Sequence, residues 1–168
     1  MVSMRDLPEA AGKTGVPSPK RQKPERPRDR LGRPLDWGAT NELELEDYDS
    51  LSLETNHELA REHMRAGRFF PAHEAWETAW KQARGTNDAE FFKGLSQMGA
   101  GYVHLLRGNA HGTKTLLRRA SGRLRRYPDG HHGIATNALH DKLEADAAAV
   151  ERGDLVPGED VTFDLPVV

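Results

Sequence analysis

The chain of 168 residues contains no cysteine. That absence excludes disulfides, thiolate metal sites and cysteine nucleophiles. Long apolar runs are also missing. Nothing approaches the roughly 18 consecutive apolar residues of a membrane span. Met1–Lys23 has no hydrophobic stretch of the kind a secretory signal carries. A cytoplasmic protein without membrane attachment is therefore expected. Apolar residues are scarce at 36%, so part of the chain is expected to lie outside any core. Net charge is small too, because 24 Lys+Arg face 26 Asp+Glu, and a total of −2 gives no overall pull towards nucleic acid. The length suits one domain of ordinary size.

The charge is balanced only in total. Met1–Pro34 carries nine basic residues against Asp6, Glu9, Glu25 and Asp29, a net +5, and six of the ten prolines. Proline removes amide donors and blocks helix, and this stretch has little apolar surface to offset the entropy of ordering. The next block, Leu35–Glu58, has eight acidic residues and no Lys or Arg, a net −8. The division expected is a disordered basic-then-acidic arm over 1–50, a helical domain over 51–153 and an extended tail over 154–168.

From Thr55 onward the apolar residues recur at helical period. A first helix is expected over Asn56–Ala66, stopped by Gly67, and a second from Phe70, with Pro71 in its first turn, to Arg84. A third opens at Asn87-Asp88-Ala89-Glu90, a box-like N-cap, and runs to Arg107 before Gly108. The fourth is capped by Asn109 and runs to Tyr127; the fifth covers Thr136–Arg152 and ends at Gly153. Short connections make consecutive helices antiparallel neighbours. The fold class expected is all-α, a compact bundle of about five antiparallel helices. Val161–Val167 alternates like a strand but has no partner strand, so it should lie extended across the bundle.

The chemistry-bearing residues gather on helices two and three. His73, Trp76, Glu77 and Trp80 share one helical face at i, i+3, i+4, i+7, with Glu74 at its margin and Ala72, Ala75, Ala79 and Ala83 beside it. On helix three, Gly94, Gln97, Gly101 and His104 form a second face. Each helical glycine costs about 1 kcal/mol relative to alanine, so two on one face suggest that something packs very close there. Folding the hairpin at Gly85–Asn87 is expected to bring His73 near Gly101–His104 and Glu77 near Gln97.

Such a seam has three readings. Buried polar groups are normally bonded, so a structural network of His73, Glu77, Gln97 and His104 comes first. No metal is expected on that reading; were one held, His73, Glu77 and His104 would supply two nitrogens and an oxygen. The third is a small-ligand pocket with Trp walls and a His/Glu floor. The zinc-protease H-E-x-x-H pattern is absent, since Glu77 stands where its second His would be. The paired E-x-x-H motifs of a di-iron bundle are absent too. A His–carboxylate pair could act as a general base, yet no serine or cysteine nucleophile stands beside it.

Helix four has a buried stripe of Thr113, Leu116, Leu117, Ala120, Leu124 and Tyr127, and opposite it Lys114, Arg118, Arg119, Arg123, Arg125 and Arg126. That basic side reads as a solvated face or as a contact for an anionic partner. His131 and His132, in a Gly-flanked loop, read as plain surface.

The run Ala66-Gly67-Arg68-Phe69-Phe70-Pro71-Ala72-His73-Glu74-Ala75-Trp76-Glu77-Thr78-Ala79-Trp80-Lys81 resembles the signature of the bacterial and archaeal domain-of-unknown-function family 309. Phe92–Gln97 and His104–Gly112 resemble its second and third motifs, with Thr113 where the family usually has Ala. His73, Glu74, Trp80, Gly94, Gln97, His104, Gly108 and Asn109 match position by position, and the likeness covers about Leu59 to Leu124. It implies a compact all-α domain of about five helices and no particular activity. The function expected is a small helical binding or interaction module, not an enzyme and without a cofactor. Its site is the seam of His73, Glu74, Trp76, Glu77, Trp80, Gln97, His104 and Asn109. The alternatives are a metal-dependent or His/Glu-based hydrolase at that seam, and an adaptor that engages an anionic partner through helix four.

Overall fold

A computed structural model of the chain describes residues 25–158 and 163–167. The first 24 residues of the expected arm, and Val161 and Thr162 of the tail, lie outside the described residues. Five α-helices follow one another: α1 Leu53–Arg65, α2 Phe69–Gln82, α3 Ala89–Leu106, α4 Ala110–Leu124 and α5 Thr136–Arg152. Short 3-10 turns precede α1 at Tyr48–Ser50 and α5 at His131–Gly133. Each helix packs antiparallel on the next in sequence, so α2 lies between α1 and α3, and α3 between α2 and α4. Among the described residues there are no strands, only the isolated bridges Arg28–Pro34 and Ile134–Val167. No described helix is long and apolar enough to cross a membrane.

The helix ends follow from local chemistry, with departures from expectation at the starts of α1 and α3 and at the end of α4, which stops at Leu124 rather than Tyr127. Ser52 caps α1, its hydroxyl accepting from Thr55 N–H at 3.1 Å, so this helix begins three residues earlier than Asn56. Asn109 caps α4 as expected, accepting from Gly112 N–H at 2.9 Å. The box at Asn87–Glu90 does not form. Asp88 occupies the N-cap of α3 without a side-chain cap bond, because both its oxygens are taken by His131 and His132. Gly67 and Gly153 end α1 and α5 at φ +74° and +82°, a left-handed turn that only glycine adopts without strain.

The core is built from Met64, Trp76, Phe91, Phe92, Leu95, Met98, Leu105, Leu117, Leu124, Leu139 and Leu143, all fully buried. On α2 the buried stripe runs through Ala72, Ala75, Trp76 and Ala79. His73, Glu77 and Trp80 lie on its flank, because small residues are what let α1 and α3 close on both sides of α2. Trp76 and Trp80 therefore do not wall one pocket together. Trp76 is wholly buried, whereas Trp80 is half-buried, with Lys93 Nζ 5.1 Å and the Arg84 guanidinium 5.9 Å from its ring centre.

Two irregular segments cover the bundle. Residues 25–45 form a strap whose turn is held by Asp29, which accepts from the amides of Leu31 and Arg33, both at 2.9 Å. Gly32 of that turn lies directly on the Phe70 ring, Leu43 is buried, and Arg107 donates to the Leu31 carbonyl. At the other end, residues 163–167 lie extended, with Phe163 packed on Phe69 and Tyr102 and Leu165 buried.

Candidate functional site

The α2 flank that faces away from the core carries His73, Glu74 and Glu77. Its position is set by α3. Gly99 has no side chain, so the backbone of His73 approaches to within 3.0 Å of where a Cβ would stand. That contact places the His73 ring against Ser96. Nδ1 lies 2.9 Å from the Ser96 carbonyl oxygen and 3.0 Å from its hydroxyl. A carbonyl only accepts, so Nδ1 carries the hydrogen, and in the neutral ring Nε2 keeps its lone pair. Nε2 points at two carboxylates, 3.4 Å from Glu77 Oε2 and 3.8 Å from Glu74 Oε1. Lys81 Nζ holds the other Glu77 oxygen at 3.1 Å. Among the described residues Glu74 accepts no hydrogen bond. Burial pushes its carboxyl up, His73 pulls it down and Glu77 pushes it up again, for a net rise above the usual carboxylate range.

Glu74 also forms one wall of a cleft of about 980 Å³ between the strap and α2, lined further by Arg26, Arg28, Asn41, Leu43 and Phe70. Arg28 is partly engaged, donating to the Gly32 carbonyl at 2.7 Å.

The other residues expected at the seam lie elsewhere. The close approach predicted from Gly94 and Gly101 is real, but the helix that approaches is α4. A Cβ at Gly101 would stand 2.7 Å from Leu117 Cδ2, and one at Gly94 3.2 Å from Arg123 Cβ. On the same face Gln97 accepts from Arg123 at 3.0 Å, and His104 Nδ1 pairs with Asn109 Nδ2 at 3.0 Å. Burial, Arg107 and His73 together hold His104 below the usual imidazole range. No hydrogen bond or ion pair among the described residues joins Glu77 to Gln97 or His104. The turn at Gly85–Asn87 sets how far along α3 each α2 residue lies, but not how α3 is rotated. Gly99 is five residues on from Gly94, about 140° round the helix, and it is the Ser96/Gly99 side that meets α2. The pair Ser96 and Gly99, a small polar residue and a glycine at i, i+3, is the sequence sign of that contact.

A second polar cluster lies at the start of α3. His131 and His132 are not free surface: their Nε2 atoms stand 2.7 and 2.8 Å from the two oxygens of Asp88. Burial alone would raise Asp88, but the bonds from His132 and His131 hold it below the usual range. His132 adopts φ +47°, a left-handed conformation uncommon outside glycine. Its carbonyl accepts from His57 Nε2 at 2.9 Å, and His57 Nδ1 accepts from Trp76 Nε1 at 3.0 Å. The indole N–H only donates, so His57 Nδ1 is bare and the ring is neutral. Nothing in the spacing of the sequence marked His57, and Asp88 stood there only as part of the expected helix cap.

The basic side of α4 is partly consumed within the fold. Arg118 pairs with Glu151 at 2.7 Å and Arg123 with Glu90 at 2.9 Å.

Residues 58–116 match the family model described as "Domain of unknown function (DUF309)", which confirms the resemblance read from the three motifs at the level of the family. The matched stretch runs from α1 into α4 and includes His73, Glu74 and Glu77. No curated protein and no solved structure matches the chain.

Proposed function

We propose that the chain is a small helical binding module whose ligand is received at the α2 flank, where the strap cleft meets His73, Glu74 and Glu77. One observation carries this reading: Glu74 and Glu77 face the same imidazole nitrogen without closing on it. The other ion pairs among the described residues close at 2.7 to 3.2 Å, as at Arg118–Glu151, His131–Asp88 and Lys142–Asp146, except the exposed Arg26–Asp36 pair at 3.8 Å. The His73 pairs stand open at 3.4 and 3.8 Å. Two partly shielded carboxylates beside each other repel, and such a pair is held more readily as a site for a cation-bearing ligand than as a structural bond. The cleft, at about 980 Å³, lies at the upper end of the ordinary range for small-molecule pockets.

The adaptor reading through α4 has less support, since Arg118 and Arg123 are already paired within the fold. A hydrolase acting through His73, Glu77 and His104 lacks its third member at the site, because His104 is turned to Asn109.

The test is Glu74→Gln. If Glu74 serves a ligand, neutralising it relieves repulsion and the free protein gains about 0.2–0.5 kcal/mol, as removal of a like-charge helical pair does. If Glu74 serves the fold, the variant loses stability. A fall of more than about 1 kcal/mol in urea denaturation, the ordinary worth of a hydrogen bond, overturns the proposal.

A further inference from the structure

We infer that Trp80, Arg84, Lys93, Arg119 and Arg126 form a binding surface for single-stranded nucleic acid on the outer face of α2, α3 and α4. The inference goes beyond the ligand site at the strap cleft and does not depend on it.

Contacts across helices assemble these residues into a row. On α3, Glu90, Lys93 and Gln97 follow at i, i+3 and i+7 and share one stripe. Arg123 of α4 bonds both ends of that stripe, Glu90 at 2.9 Å and Gln97 at 3.0 Å, and so lies alongside Lys93. Lys93 in turn reaches α2. Its Nζ stands 5.1 Å from the Trp80 ring centre, and the Arg84 guanidinium stands 5.9 Å from the same ring. Arg119 is one turn before Arg123 on the same side of α4. Arg126 stands in the turn that continues the helix, its N–H bonded to the Arg123 carbonyl at 3.2 Å. Neighbouring helices lie about 8–10 Å apart, so the row crosses roughly 20 Å.

The charge of this row is uncompensated. Residues 110–128 hold six Lys and Arg and no acid. Glu151 neutralises Arg118 on the α5 side, and Glu90 neutralises Arg123. Among the described residues Arg84, Lys93, Arg119 and Arg126 pair with no carboxylate. The acidic block forms no ion pair with them, since Asp36, Glu46 and Glu58 pair instead with Arg26, His63 and Arg61. Four such cations in a row suit a polyanion, and the half-buried Trp80 ring beside them selects its kind. A nucleic-acid base has a π face to lay against the indole, which a run of carboxylates or a lipid headgroup lacks. Lys93 and Arg84 are held at the ring by its negative face, next to where the phosphates flanking a stacked base would lie.

The experiment is fluorescence anisotropy of a labelled oligouridylate of about twelve nucleotides, titrated with full-length protein between about 50 and 200 mM sodium chloride. The expected result is saturable binding that weakens with salt at a log–log slope of about −3, the value for four phosphate contacts on a single strand. Arg119→Gln and Lys93→Gln should each weaken binding about fivefold to tenfold and reduce the slope by about 0.7. Both should keep the wild-type melting temperature, so that lost binding is not lost fold. Trp80→Phe keeps a stacking ring and should keep the affinity, while the quenching of indole emission on binding disappears. Lys20→Gln combined with Arg21→Gln, in the basic arm, should leave the affinity unchanged. The inference is overturned if no saturable binding is seen at the lowest salt, if Arg119→Gln and Lys93→Gln bind as the wild type does, or if indole quenching survives in Trp80→Phe. It is overturned equally if the arm variant alone abolishes binding, or if polyglutamate or phosphatidylserine vesicles bind more tightly than the oligonucleotide.

Discussion

A buried histidine must be given partners for two protons or be left neutral, and His57 is left neutral. Trp76 donates to Nδ1, and the His132 carbonyl takes the one remaining hydrogen. Burial, first, lowers its pKa. The His132 carbonyl opposes this, Arg61 and His132 add to it, and Glu58 opposes it weakly. In the unfolded chain the ring titrates near pH 6.5. Between that value and the lower folded one, the unfolded chain binds more protons, so stability rises with pH. The contribution is complete above about pH 6.5 and is lost as pH falls towards the folded value. The denaturation midpoint is expected to hold from pH 8 to 7 and to fall between pH 6.5 and 5. His57→Gln should be less stable at pH 7.5 but show a shallower fall. His104 titrates in the same sense, so the difference between wild type and variant is the quantity to measure. Parallel curves would show that His57 does not titrate with unfolding. Asp88 and Glu46, both held low, act only at more acidic pH.

At the scale of the element, the glycines within helices separate by what lies over them. Gly99 faces the His73 backbone, with Cα and N at 3.0 Å from a built Cβ, and backbone cannot rotate aside. Gly122 on α4 has nothing within 4 Å. Gly122→Ala should therefore gain about 0.5–1 kcal/mol from helix propensity alone. Gly99→Ala should lose about 1–3 kcal/mol, as overpacked interiors do, because it pushes α2 off α3. Thermal denaturation of the two variants checks the contrast, and equal shifts would place the α2–α3 contact elsewhere. The helices themselves were legible in the sequence because caps and stops are local. Asn109, Gly67 and Gly153 act within a turn of their own position. Asp88 misled for the complementary reason: its partners are 43 and 44 residues away, and a distant bond outcompeted the local cap.

At the scale of the molecule, the bundle is closed by segments that carry no helix. The strap covers Phe70, buries Leu43 and forms one side of the cleft. Removing residues 1–45 should uncover Phe70 and lose the burial of Leu43, about 2 kcal/mol for one large apolar side chain. In a domain of this size that is a fall of roughly 5 °C in melting temperature. An unchanged melting temperature would mean that the strap adds no stability to the bundle.

By itself the sequence determined the all-α class, the order and approximate limits of the five helices, and the family to which residues 58–116 are matched. Helical period, caps and stops are written within a few residues of where they act. It also placed His73 and Glu77 together, with Glu74 at the margin of their face, because i and i+4 on one helix are neighbours whatever surrounds them. Only the tertiary structure decided which side of α3 meets α2. Rotation about a helix axis depends on both neighbours at once, and α3 has α2 on one side and α4 on the other. That rotation sent Gln97 and His104 to α4, brought Ser96 to His73, and left the two carboxylates of α2 facing one imidazole nitrogen at the edge of a cleft.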